Sequence, residues 1–128
     1  MERLFLILAS INGFLAVALG AFGAHGLKTR LAHLPDQAQR LDWWQTAAHY
    51  HLTHALALVL MAYLAARVPG ALTTAGGWFL LAGILLFSGS LYAMTLTGVK
   101  ALGAITPLGG VCLLAGWALA AAAAWRLA

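Results

Sequence analysis

Charge is scarce in this chain. Seven Lys/Arg and three Asp/Glu make up 8% of 128 residues, whereas a soluble domain of this size carries about a quarter. Ten charges cannot cover the surface of a water-soluble globule of this length. Disorder is excluded as well, because it needs high charge and low hydrophobicity, and 63% of the chain is hydrophobic. Carboxylates are rarer still, and none falls inside a long apolar stretch. That disfavours a carboxylate-bridged metal pair and a carboxylate proton relay. Cysteine is limited to Cys112, so there is no intrachain disulfide and no CxxC. In an apolar run it reads as a small buried hydrophobe. GxSxG, HExxH, the P-loop and Gly-rich nucleotide motifs are also missing. Ser88 or Ser90 beside His25 or His54 would make a nucleophile–base pair with no acid to orient the base. An enzyme is therefore not the expected reading.

What is present is apolar length, with a mean hydropathy of +0.91. The charges bound four uncharged stretches: Leu4 to Leu27, Trp43 to Ala66, Val68 to Val99 and Ala101 to Trp125. Each holds the roughly 20 residues that cross about 30 Å of hydrocarbon as a helix. This predicts one membrane domain over 1–128, with spans near 4–24, 46–66, 76–97 and 104–125. Pro69-Gly70 and Thr73-Thr74 read as a turn and a helix start before the third. Arg3 ahead of an apolar run also suits a signal peptide, but the run is long for one, and a retained span is preferred.

Residues 28–45 form the one long loop. Pro35-Asp36 reads as a helix start with Asp36 as its cap, and Trp43 and Trp44 suit the membrane interface. The expected fold is all-α: a polytopic membrane four-helix bundle with a short interfacial amphipathic helix before the second span, in the cell membrane. Three basic residues on the side of the termini against four on the other give no usable orientation bias. A net charge of +4 comes from scattered residues without a patch, which argues against nucleic acid.

Small residues recur at helical spacing. Gly76, Gly83, Ser90 and Thr97 are seven apart. Gly13, Ala16, Gly20 and Gly23 line the first span, and Gly109, Cys112, Gly116 and Ala120 the fourth. Membrane helices associate by close approach at such residues, so Gly20, Gly23, Gly83, Gly109, Gly110 and Gly116 are the expected packing positions. Residues 14–25 (FLAVALGAFGAH) also align weakly with 79–90 (FLLAGILLFSGS), as two related helix hairpins would.

Polar residues are expensive in hydrocarbon and point to function. Here they crowd the span ends next to loops one and three, while the opposite halves are nearly bare apart from Ser10, Asn12, Met61 and Tyr63. His54 lies about 12 Å inside the second span and shares a face with Tyr50 and with His51. His49 and His51 cannot both point inward. Thr106-Pro107 opens the fourth span, with Thr106 able to cap, and Gly109-Gly110 admits another backbone or a ligand. The candidate ligand-binding or polar cluster is His25, Tyr50, His54, Ser88, Ser90, Tyr92 and Thr106.

The sequence resembles the bacterial domain-of-unknown-function 423 family, related to the eukaryotic transmembrane protein 256 group, over essentially its whole length. The motifs that carry the resemblance are Phe22-Gly23-Ala24-His25-Gly26, Trp44-Gln45-Thr46-Ala47 with Tyr50 and His54-Ala55-Leu56, Phe87-Ser88-Gly89-Ser90-Leu91-Tyr92, Thr106-Pro107-Leu108-Gly109-Gly110 and Leu114-Ala115-Gly116-Trp117. His49 and His51 fall outside them. The resemblance implies a small four-span membrane protein and assigns no molecular activity.

Three readings follow. The polar cluster lines a binding or permeation site for a small polar or lipid-like ligand, with a homo-oligomer helping to enclose it; its bland counterpart is that these groups only bond one another across helices. Alternatively, the chain is an accessory or structural subunit of a larger membrane complex. A histidine-ligated haem or metal protein is the third reading; neither a cofactor nor a metal is expected. Membrane lipid is the expected partner.

Overall fold

The computed structural model describes residues 1–127. It is all-helical, with four rods. Helix α1 (Glu2–Arg30) is α-helical over Glu2–Phe22, widens to a π-helix over Gly23–Leu27 and closes with Lys28–Arg30. Helix α2 (Gln37–Arg67) is 31 residues without a break. Helix α3 (Ala71–Thr97) contains a second π-helical turn, Ile84–Ser88. A 3₁₀ stretch, Lys100–Ala104, leads into α4 (Thr106–Ala124), which has Pro107 in its first turn.

Three expectations about helix starts are corrected. The interfacial helix is not a separate element but the first turns of α2. No breaker separates the two, and Trp44, Ala47, His51, His54, Leu58, Met61 and Ala65 form one buried stripe at spacings of three and four. Asp36 precedes α2, yet its carboxylate accepts from Arg40 Nε at 3.0 Å instead of capping the helix. The third helix begins at Ala71, ahead of 76, because the Thr73 hydroxyl lies 3.2 Å from the Val68 carbonyl and 3.1 Å from that of Gly70 and ties down the turn.

Among the described residues, three rods are long and apolar enough to cross a membrane: α1, α3 and α4. Helix α2 has the length, but His49, His51 and His54 lower its hydropathy.

Helix α1 packs along α2 and α3 along α4, and α2 joins the two pairs. The α3–α4 contact is reciprocal. Leu113 of α4 covers Gly83 of α3, and Leu80 of α3 covers Gly116 of α4. At Gly109 a Cβ would collide with the backbone of Phe87, so here the two main chains themselves touch. Phe5 of α1 fills the space over Gly77 and meets Trp78 edge-on at 6.1 Å. Around these contacts lies the main core of Phe5, Leu58, Met61, Leu80, Ile84 and Leu113.

Not every predicted small residue packs. Gly13 and Gly20 have open space where a Cβ would stand, Gly110 meets only the edge of the Phe87 ring, and Thr97 is exposed. Small size alone does not reveal which helix face finds a partner.

Candidate functional site

Three helices meet through hydrogen bonds at His51, which is 5% exposed. The Asn12 amide on α1 donates to the Leu8 carbonyl at 2.8 Å, leaving its oxygen as an acceptor. His51 Nε2 lies 3.1 Å from that oxygen, so Nε2 carries the proton and donates it. The other nitrogen, Nδ1, then accepts from the Tyr92 hydroxyl on α3 at 3.2 Å. The chain of donors and acceptors is closed, and it links α1, α2 and α3.

The remaining polar groups bond in separate pairs. Ser88 donates to the Ala47 carbonyl across the α2–α3 contact at 2.8 Å. Ser90 gives its single proton to the Phe87 carbonyl at 3.0 Å, so Thr106, 2.7 Å away, donates to Ser90. Thr106 thereby bonds across to α3, and it stands inside α4 after Ile105 rather than capping it. Thr95 lies 3.0 Å from the Arg40 carbonyl, and Arg40 Nη1 returns a bond to the Thr95 carbonyl at 3.2 Å. The Arg40 guanidinium occupies the space a Cβ would need at Gly98, whose φ of +73° ends α3 in the left-handed region.

At the first π turn a side chain from α2 approaches the irregular backbone, and at the second the main chain of α4 does so at Gly109. Trp44, 3% exposed, inserts beside Gly23 and donates its indole N–H to the Leu19 carbonyl at 2.7 Å. The Leu19 carbonyl also accepts the Gly23 N–H, so the indole is a second donor to it at the point where the ladder becomes irregular. Phe22 and Tyr92 contact the same indole edge-on, at 5.7 and 4.6 Å.

His25 joins none of this. It is exposed, and its side chain makes no hydrogen bond among the described residues. The buried stripe of α1 runs through Phe5, Ala9, Asn12 and Ala16 and returns at Leu27, and His25 lies off it. The expected single centre containing His25, His54, Ser90 and Thr106 is therefore divided into smaller groups.

His54 is different again. It is 5% exposed, and Nδ1 donates to the Tyr50 carbonyl at 2.6 Å. Nε2 has no hydrogen-bond partner, yet it is not sealed in, because no buried polar atom lacks a partner among the described residues. The His54 side chain borders a groove of about 470 Å³ between α2, α3 and α4, walled by Tyr50, Phe87, Pro107, Gly110, Leu114 and Trp117. Tyr50 stacks on Phe87 at 4.3 Å and on His54 at 5.7 Å, and Trp117 meets His54 edge-on at 6.2 Å. A second concavity of about 310 Å³ lies between α1 and α2, bordered by Gly20, Lys28, Trp44 and Gln45. No group of three or more His, Cys, Asp or Glu side chains converges as a metal site among the described residues.

Comparison with known proteins places these features in a family. The family described as "Protein of unknown function (DUF423)" matches residues 19–110. The chain belongs to the DUF423 family. It is 49% identical over 102 residues to UPF0382 membrane protein YwdK of Bacillus subtilis (strain 168), covering 78% of each chain. It is 42% identical over 126 residues to UPF0382 inner membrane protein YgdD of Escherichia coli (strain K12), covering 98% of this chain and 92% of that one. No solved structure matches it. With these relatives and its apolar rods, the chain is a multi-pass membrane protein. The DUF423 match includes both π turns, His51, His54 and Tyr92. Asn12 lies before it, and the Val111–Trp117 wall of the groove lies after it.

Two site residues escaped the sequence reading, Asn12 and His51. Both were detectable. An amide in the middle of an apolar span needs a partner, and His51 falls on the same stripe as Trp44, Ala47 and Leu58. Proximity to the loop drew attention to His25, where helical phase was the better guide.

Proposed function

We propose that this protein crosses the bilayer four times and holds a lipid-like amphiphile in the groove beside His54. Charge position supports four crossings. Glu2, Arg3, Arg67 and Arg126 belong to one end of the bundle, and Lys28, Arg30, Asp36, Arg40, Asp42 and Lys100 to the other. Helix α2 has no charged residue between Asp42 and Arg67. Its two buried histidines are each hydrogen-bonded within the bundle, which lowers the cost of carrying them across.

The observation that carries the ligand reading is His54 itself: a buried side chain whose Nε2 has no partner yet is not sealed in, on a residue that borders an aromatic groove. The groove is flanked by strongly exposed residues of α4, with Leu114 at 71% and Val111 at 64%. In a bilayer that face meets acyl chains, so an amphiphile has lateral access. Permeation of a small polar solute has less support, because the hydroxyls of Ser88, Ser90, Tyr92 and Thr106 are all engaged. They fit the role of fastening helices.

Native mass spectrometry of the protein released from its membrane in mild detergent tests the reading. The expected spectrum shows a bound amphiphile that Gly110→Leu removes, since a side chain at 110 fills the groove, with the thermal midpoint kept. A bare wild-type protein, or an adduct unchanged in Gly110→Leu, overturns it.

A further inference from the structure

We propose that the occupant of the groove is an uncharged amphiphile that donates a hydroxyl proton to His54 Nε2; this rests on the groove reading above. The Tyr50 carbonyl can only accept, so His54 Nδ1 holds the ring proton, and the lone pair of the neutral ring is on Nε2. The groove therefore offers an acceptor to its guest. Trp117 and Tyr50 add an indole N–H and a phenol, and neither side chain has a hydrogen-bond partner among the described residues. A hydroxyl both gives and takes a hydrogen bond, and it matches this set.

Other headgroups do not. A phosphate or carboxylate is a charged acceptor, and no Lys or Arg borders the groove to neutralise it. A quaternary ammonium has no proton to give. A ketone or ester accepts only.

Depth makes the same selection independently. Along α2, His54 stands twelve residues after Asp42 and thirteen before Arg67, about 18 and 20 Å at 1.5 Å per residue. It sits midway between the charges that flank the hydrocarbon stretch. A charged headgroup brought to that depth loses its hydration at a cost of several kcal/mol. A lone hydroxyl reaches it cheaply once it is hydrogen-bonded. The aromatic walls then hold the chain that follows.

The test uses the full chain in phosphatidylcholine nanodiscs with three photoreactive probes of equal chain length: a long-chain primary alcohol, its methyl ether and the corresponding fatty acid. The alcohol is expected to label the Val111–Trp117 segment about fivefold more strongly than the ether, the ratio one net hydrogen bond confers, and more strongly than the acid. His54→Phe, which keeps a ring and removes the acceptor, should bring alcohol and ether to equal labelling. Equal labelling in the wild type, or preference for the acid, overturns the proposal and leaves the groove as a chain-binding site. Labelling by all three probes no greater than in Gly110→Leu overturns the groove reading, and the proposal with it. The wild-type alcohol-to-ether ratio needs no variant, so it decides the matter even if His54→Phe does not fold.

Discussion

The two halves of the bundle are held together in different ways. Toward the termini, the helices meet through bulk against absence: Leu113 over Gly83, Leu80 over Gly116, Phe5 over Gly77. Toward loops one and three, they meet through hydrogen bonds: Ser88 on the Ala47 carbonyl, Thr106 on Ser90, and the chain that runs from Tyr92 through His51 to Asn12, deeper in the bundle. Lipid supplies no hydrophobic drive between helices, so each half needs a specific device. Close packing needs only shape. Hydrogen bonding needs matched donors and acceptors, and every member depends on the others. The second half can therefore be damaged at a distance from any one contact, while the first fails only where bulk is changed.

The largest effect is expected where backbone meets backbone. Gly109→Leu drives a side chain into the Phe87 main chain and should cost about 3 kcal/mol or more. Thermal unfolding in detergent, followed by circular dichroism, reads it; a midpoint near that of the wild type would mean that α3 and α4 are not so close. Next come the hydrogen bonds. His51→Leu strands the Asn12 oxygen and the Tyr92 hydroxyl and should cost about 1–2 kcal/mol. Adding Asn12→Leu should cost about 1 kcal/mol less than the sum of the two single changes. Strict additivity would dissolve the chain into independent contacts. The smallest effect separates two glycines of one stripe. Gly23→Ala meets the Trp44 ring and should destabilise by about 1 kcal/mol, whereas Gly20→Ala meets open space and should stabilise by about 0.5 kcal/mol through helix propensity. Equal responses would show that Trp44 does not sit against Gly23.

Much of this was readable from residue order. Four apolar stretches yielded four rods, and the seven-residue spacing from Gly76 to Ser90 marked a packed face. The polar residues near the two loops bond in separate groups, and His25 stands outside them. What composition could not supply was phase. Helix α2 carries three histidines within six residues, and only its continuous stripe shows that His51 and His54 turn inward while His49 does not. The π turns left no sequence mark; each lies beside a close tertiary contact, Trp44 at the first and Gly109 at the second, that residue order alone does not reveal. Asn12 seemed an isolated blemish in a greasy segment until its register against His51 was known.

Of the five tryptophans, Trp43 is half-buried, Trp78, Trp117 and Trp125 are exposed, and Trp44 alone is buried. That makes the chain its own gauge. Any parting of the first two helices wets this one indole and frees its N–H, so a chain that keeps Trp44 as its single tryptophan reports the opening of the hairpin through emission colour without an added label.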